Sequence, residues 1–381
     1  MSGTREFRLA AGLIAVLAAA AATTRGQEPS EDVGQSLVVP SLPAVAAPRH
    51  TQVIDADTAA EICPPASTVP MGSLFDSGRC DFPFIPYMLG DFNGPLANPM
   101  TDLKASEGES PMPLDRVFYR FNMYSNLDPS RYQDVSIPYK RVNLYTNVFG
   151  FEKTFGPWVS FGVRLPINGV QALSRGTYYV RLPGPGGHVV ARRAPSDYNS
   201  AIFGNINGIL KLKLVEDVNR GYLVSTGVSL SFPTATNQSV DPGPSTAAIF
   251  QPFLGYIFTG ERFFLQGFTA VTLPLVTVQS MLFFQDLGAG MWAYRSDSPS
   301  GFLTGFAPTV EVHLNAPLQG PQRASWIFQK AGLSFNTQFN LTFGGTFEFW
   351  HRATLGLGFV VPTVGPIPFD CEFLAHFNVR F

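Results

Sequence analysis

Few side chains in this 381-residue chain have both the type and the spacing for chemistry. Glu311 and His313 stand two apart, as do Asp370 and Glu372, with His376 four positions further on. Lys211 and Lys213 make a basic pair of the same spacing. Three chemistries use such groups. Hydrolysis needs a hydroxyl beside a base and a third group orienting that base. None of His50, His188, His313, His351 and His376 has a serine two residues away on an inward strand face. A metal site needs more ligands than Glu311 and His313 supply. No catalytic, cofactor-binding or metal residue is therefore assigned. The third chemistry, a charged lining for a wet cavity, fits a spacing of two, because alternate residues of a strand share a face.

The elements that must position these groups are strands, and the clearest is the last stretch, 369–381, reading FDCEFLAHFNVRF. Phe369, Cys371, Phe373, Ala375, Phe377, Val379 and Phe381 take one parity, and Asp370, Glu372, Leu374, His376, Asn378 and Arg380 the other. Read the same way, the chain from residue 113 holds twelve strands near 116–125, 142–152, 158–165, 202–215, 222–232, 248–258, 263–273, 283–294, 302–314, 339–349, 353–361 and 369–381. Tight turns tend to follow even-numbered strands and longer connections odd-numbered ones, the asymmetry of a barrel with short inner turns and long outer loops. Pro166, Pro233, Pro274, Pro317 and Pro362 stand just past five odd-numbered strands. A residue without an N–H belongs where the ladder ends. An even count returns the C-terminus to the side on which the barrel begins.

The polar parity collects Arg120, Asn122, Asn143, Asn147, Arg164, Lys211, Lys213, Asp286, Glu311, His313, Glu348, Asp370, Glu372, His376 and Arg380. The other parity is almost free of charge, so the first set is read as lining a lumen and the second as facing lipid. Either these charges contact solutes or they pair with one another and hold the barrel closed. Inward Gly227, Gly288, Gly290, Gly344, Gly356 and Gly358 leave space or ease bending.

Composition agrees. The chain is 45% hydrophobic but only 14% charged, below the usual figure of about 25%. All but five of its 34 phenylalanines follow residue 112, yet no run reaches the roughly 18 apolar residues of a membrane helix. A formal charge of -2 gives no footing for nucleic acid as a partner. Residues 1–22, with Arg5 and Arg8 before an Ala-rich apolar run, read as an export signal. Residues 23–112 are proline-rich and without period, either an irregular periplasmic segment or a plug. Within them the aromatic piece CDFPFIPYMLGDF either docks on the barrel or enters its lumen. Cys63 and Cys80 could pair in an oxidising compartment.

The export signal, the alternating hairpins and the terminal Phe381 after Asn378, Val379 and Arg380 resemble a bacterial outer-membrane β-barrel protein. That resemblance implies that Phe381, with Val379, Phe377 and Phe373 on the same face, is recognised by the barrel-assembly machinery. It also implies outer-membrane lipids as surroundings and a periplasmic C-terminus. More narrowly, GVSLSFPTAT and GLGFVVPTVG resemble the barrel family named for the meta-pathway of phenol degradation, transporters of small organic compounds. Pro233-Thr234-Ala235 and Pro362-Thr363-Val364 stand where that family has Pro-Thr-Gly. The expected fold is a closed antiparallel transmembrane barrel. The expected function is a channel for small solutes or, alternatively, a surface-exposed barrel whose long loops bind a partner.

Overall fold

The computed structural model describes residues 82–91, 103–127, 134, 136–182, 188–235, 248–275, 281–296, 298, 301–319, 337–365 and 367–381. The export signal, Cys63 and Cys80 lie outside the described residues. Twelve strands form the wall: β1 (Arg116–Ser125), β2 (Tyr139–Thr154), β3 (Val159–Ser174), β4 (Ile206–Asp217), β5 (Tyr222–Phe232), β6 (Ile249–Thr259), β7 (Phe263–Pro274), β8 (Met281–Met291), β9 (Leu303–Gln319), β10 (Gln338–Phe349), β11 (Ala353–Val364) and β12 (Cys371–Arg380). Each pairs antiparallel with the next, and β12 pairs back onto β1 from Arg116↔Arg380 to Ser125↔Cys371, so the sheet closes on itself. Closure leaves the wall no edge whose N–H and C=O groups would go unsatisfied in lipid.

Several strands run past the prolines expected to end them, and the pairing shows why the chain tolerates this. On its side away from β2, β3 pairs with β4 over Val159–Arg164 and then with a short strand, Tyr198–Phe203, over Ile167–Ala172. Pro166 falls where that neighbour changes, and its carbonyl accepts the Gly204 N–H at 3.0 Å. Its missing donor costs the ladder little because the ladder is already broken there. The same break splits the stretch expected as one strand over 202–215. Pro317 and Pro362 lie inside β9 and β11, and the pairing slips register one residue beyond each, against Met281/Leu282 and Phe339/Asn340. Both prolines therefore mark bulges rather than strand ends. Pro274 closes β7, and only Pro233 stands just past its strand.

The faces sort as period two demands. Val117, Phe151, Phe161, Leu165, Leu210, Leu212, Phe343, Phe359, Phe373 and Phe377 stand exposed on the outside. At the tight-turn end Phe155, Trp158, Phe263, Phe302, Trp350 and Phe381 are each more than half exposed. They form the aromatic band expected at a membrane boundary. Phe381 stacks on Phe151, ring centroids 6.1 Å apart. Two assignments are corrected. Asn143 and Asn147 face outward, because the β1–β2 register sets Asn147 opposite Phe121 and Tyr145 opposite Met123. There they are held by polar neighbours, Tyr119 Oη donating to Asn147 at 2.7 Å and Asn143 Nδ2 to Gln171 at 3.1 Å. Phe369 precedes β12, is fully buried and packs edge-on against Tyr124.

Inside the barrel lie two stretches of the N-terminal region, 82–91 and 103–113, here called the inner segment. Tyr87, Met88, Leu89 and Ala105 are buried to within 1%. The wall makes room for them with glycine. A Cβ at Gly344 would meet Leu89 Cδ1 at 2.5 Å, one at Gly358 the same atom at 3.2 Å, and one at Gly255 would meet Pro111 Cβ at 2.9 Å. Gly227, Gly290 and Gly356 instead give way to rings of the wall itself, Phe253, Phe264 and His376. Residues 82–91 of the aromatic piece read from the sequence therefore pack within the barrel.

Candidate functional site

Among the described residues the interior holds four clusters of charged side chains. In the first, Lys104 of the inner segment sets its ammonium 2.6 Å from Asp91, 2.6 Å from Asp286 on β8 and 3.0 Å from Asn315 on β9. It also lies 4.9 Å from the centre of the Phe284 ring. Asp286 accepts from Ser106 Oγ at 2.6 Å and lies 2.9 Å from His313 Nδ1. Glu311, one inward position before His313, accepts the Leu89 and Gly90 N–H groups at 2.7 and 2.8 Å. A wall carboxylate thus clamps the main chain of the inner segment. Asn340 Nδ2 donates to Asp91 at 2.8 Å and Thr342 Oγ1 to the Gly90 carbonyl at 3.0 Å.

The second cluster centres on Glu109, which three wall cations reach. Arg116 on β1 makes a short ion pair with it, Arg164 on β3 lies at 2.6 Å and Lys211 on β4 at 2.7 Å. Glu152 on β2 is the wall's own counter-charge, 2.9 Å from Arg116 Nε and 2.8 Å from Lys211. Further donors of the three cations reach inner-segment carbonyls: Arg116 to Gly108 at 2.9 Å, Arg164 to Lys104 at 2.8 Å and Ala105 at 3.1 Å, Lys211 to Ser110 at 3.0 Å. Arg116 also lies over the Tyr87 and Phe118 rings, 4.5 and 4.4 Å from their centres.

In the third, Arg120 pairs with Glu107 of the inner segment at 2.7 Å and donates to Asn122 at 2.6 Å. Asn122 in turn bonds Glu372. His376 lies buried beside Asn378, with its Nε2 unbonded. In the fourth, near the turn end, Arg380 pairs with Glu348 at 2.6 Å and caps the Phe84 ring at 3.6 Å. Two expected lumen residues stand at the two ends of the barrel, away from these clusters. Lys213 is partly exposed, paired with Glu216, its ammonium 5.4 Å from the Trp158 ring of the boundary band. Asp370 is exposed ahead of β12 and accepts from Asn126 Nδ2 at 3.1 Å. Lys213 keeps the inward parity, opposite buried Ser225 and just before the bulge at Leu214, whereas the late start of β12 leaves Asp370 ahead of the strand.

Two arrangements escape the sequence. Tertiary pairing puts Thr342 of β10 beside His313 of β9, Oγ1 to Nε2 3.0 Å, so a hydroxyl, an imidazole and the Asp286 carboxylate stand in line. The Thr342 hydroxyl is already committed to the Gly90 carbonyl, so Nε2 donates to it rather than taking its proton. Asp91, Asp286 and His313 also bring ligand atoms within 4.8 Å of one another, the spacing of a metal site. Lys104 already supplies the cation between the two carboxylates. The acids at 107 and 109 and the lysine at 104 gave no signal in sequence, because the segment carrying them has no period.

Outside the strands, Asp115 ties the turn end together. Lys153 Nζ, the Thr154 N–H and the Thr154 hydroxyl donate to its carboxylate at 2.5, 2.5 and 2.6 Å, and its carbonyl accepts the Phe381 N–H at 3.3 Å. Partial burial alone would raise this carboxyl's pKa, but the bonds from Lys153 and Thr154 hold it below the usual value.

No protein-family model matches the sequence, including that of the meta-pathway transporters, and no curated protein is a significant relative. Among solved structures the chain is similar to an outer membrane channel from Pseudomonas putida F1, at 10% identity over 74% of this chain and 100% of that one, TM-score 0.46. It is also similar to the NanC porin, at 8% identity over 69% and 98% with TM-score 0.37. A third is the β domain of the Bordetella autotransporter BrkA, at 10% identity over 70% and 100% with TM-score 0.38. Likeness this distant carries no residue role across, and the twelve-strand closure rests on the pairing itself.

Proposed function

We propose that the protein is an outer-membrane channel for small solutes whose lumen is closed, in the state described, by its own inner segment acting as a plug. The observation that carries this reading is the charge match between plug and wall. Glu107 and Glu109 go to Arg120, Arg116, Arg164 and Lys211, while Lys104 goes to Asp286. A barrel needed only as a scaffold could fill itself with apolar side chains. A lining of buried charges, each costly unless paired, suits a wall that also meets water. The export signal, the oily exterior and the boundary aromatics support an outer-membrane location with the C-terminus in the periplasm. The terminal Phe381 supports recognition by the assembly machinery.

The test is conductance of the purified full-length protein in a planar bilayer. The wild type is expected to conduct poorly, and Glu311→Gln, which leaves one of two plug N–H groups without its acceptor, to open more often. Equal conductance of the two proteins would sink the plug reading.

A second reading, a surface-exposed barrel that binds a partner through its loops, is favoured by one feature. The hairpin Thr177–Arg181/Val189–Arg193 in the β3–β4 connection carries exposed Arg181, Arg192 and Arg193, and no acid occurs from 175 to 196. Neutralising these three arginines would abolish partner capture on that reading and leave conductance unchanged.

A further inference from the structure

We propose that Arg116, Arg164 and Lys211 form a carboxylate-binding subsite in the barrel wall, that Glu109 occupies it as a built-in ligand, and that carboxylate-bearing small solutes take it when the plug withdraws. The last step rests on the channel reading; the subsite itself does not.

The three cations come from three strands, β1, β3 and β4, and converge on one carboxylate within 2.7 Å or less. Their side chains are at most 2% exposed. Among the described residues the wall returns one carboxylate to these cations, Glu152, so three cations less one acid leave two positive charges, of which Glu109 offsets one. A buried excess of that kind demands an anion whenever Glu109 is absent. Guanidinium forks suit the planar two-oxygen face of a carboxylate, and Lys211 adds a point charge. Arg116 is pre-positioned by the Phe118 ring of the wall and by Asn378, whose Oδ1 accepts from it at 2.9 Å. Withdrawal of the plug also frees the donors now spent on Gly108, Lys104, Ala105 and Ser110, so an incoming solute meets more donors than Glu109 alone uses.

Chemical rescue tests the subsite on the full chain. Glu109→Ala leaves a carboxylate-sized gap among the three cations, so its refolding yield and unfolding midpoint should fall. Millimolar acetate should restore at least half of each loss. Acetamide, methylammonium, phosphate and chloride at matched ionic strength should restore less. Glu109→Gln fills the gap without the charge and should gain nothing from acetate, and adding Arg164→Met to Glu109→Ala should abolish the rescue. Acetate that acts no better than acetamide or chloride, on yield or midpoint, overturns the proposal. Rescue in a protein that never conducts upholds the subsite and defeats the channel reading instead. In the Glu311→Gln protein, acetate should permeate better than methylammonium, and that preference should drop with Lys211→Gln; an unchanged preference removes the solute half of the proposal.

Discussion

Single residues hold the inner segment and the turn end by specific geometry. Gly90 adopts φ +90°, and a Cβ there would lie 3.0 Å from Glu107 Cα. Gly90→Ala meets both the strained backbone and that contact, so the seat of the inner segment should weaken by about 1–3 kcal/mol. Faster proteolysis within 82–113, with an unchanged barrel core, is the expected readout. Asp115 gives a pH prediction. Its folded pKa is depressed, so its contribution is present above the unfolded value of about 3.9 and is lost as pH falls through the lower folded value. Unfolding midpoints should therefore fall more steeply for wild type than for Asp115→Asn between about pH 5 and pH 2.

At the scale of the element, β12 carries the terminal aromatic face and the seam that closes the sheet. Phe377 is exposed on the outside, while its neighbours His376 and Asn378 are buried inside. A carboxylate at 377 would face the hydrocarbon, where charge is unfavourable, though less so than Arg or Lys at up to about 2–4 kcal/mol. Phe377→Asp and removal of Phe381 should each lower insertion yield, seen as loss of the heat-modifiable folded band on cold gels. Equal insertion of both variants would reject this facing. The bulges at Pro317 and Pro362 show that a proline inside such a strand redirects pairing without ending it.

For the whole molecule, the internal ion pairs and the lipid-facing exterior make one barrel with two solvents. Lys211 and Lys213 share a parity, but among the described residues Lys211 pairs with Glu109 of the inner segment while Lys213 pairs with Glu216 near the boundary band. In a channel opened by Glu311→Gln, Lys211→Gln should shift the reversal potential toward cation preference under a salt gradient, whereas Lys213→Gln should leave it unchanged. A shift of equal size from both would place selectivity at the mouth rather than at the Glu109 subsite.

The amino-acid sequence by itself determined what depends on neighbours along the chain. Alternation of polar and apolar residues is a local property of a strand. The twelve strands, the inward positions of Arg120, Arg164, Lys211, Asp286, Glu311, His313 and Glu372, and the outward face of β12 are therefore legible in the residue pattern alone. Where both parities of a strand carry apolar groups, as in β2, the pattern is degenerate, and only the register against β1 turned Asn143 and Asn147 outward. Contacts between strands are hidden for the same reason, since Thr342 meets His313 across a ladder 29 residues apart in sequence. The inner segment is the least legible part, because an irregular chain has no period to read. Its place was decided by the tertiary balance of charge, which set Glu109 among three wall cations and Lys104 against Asp286. Burial makes each of those charges costly unless its partner arrives from a distant part of the chain.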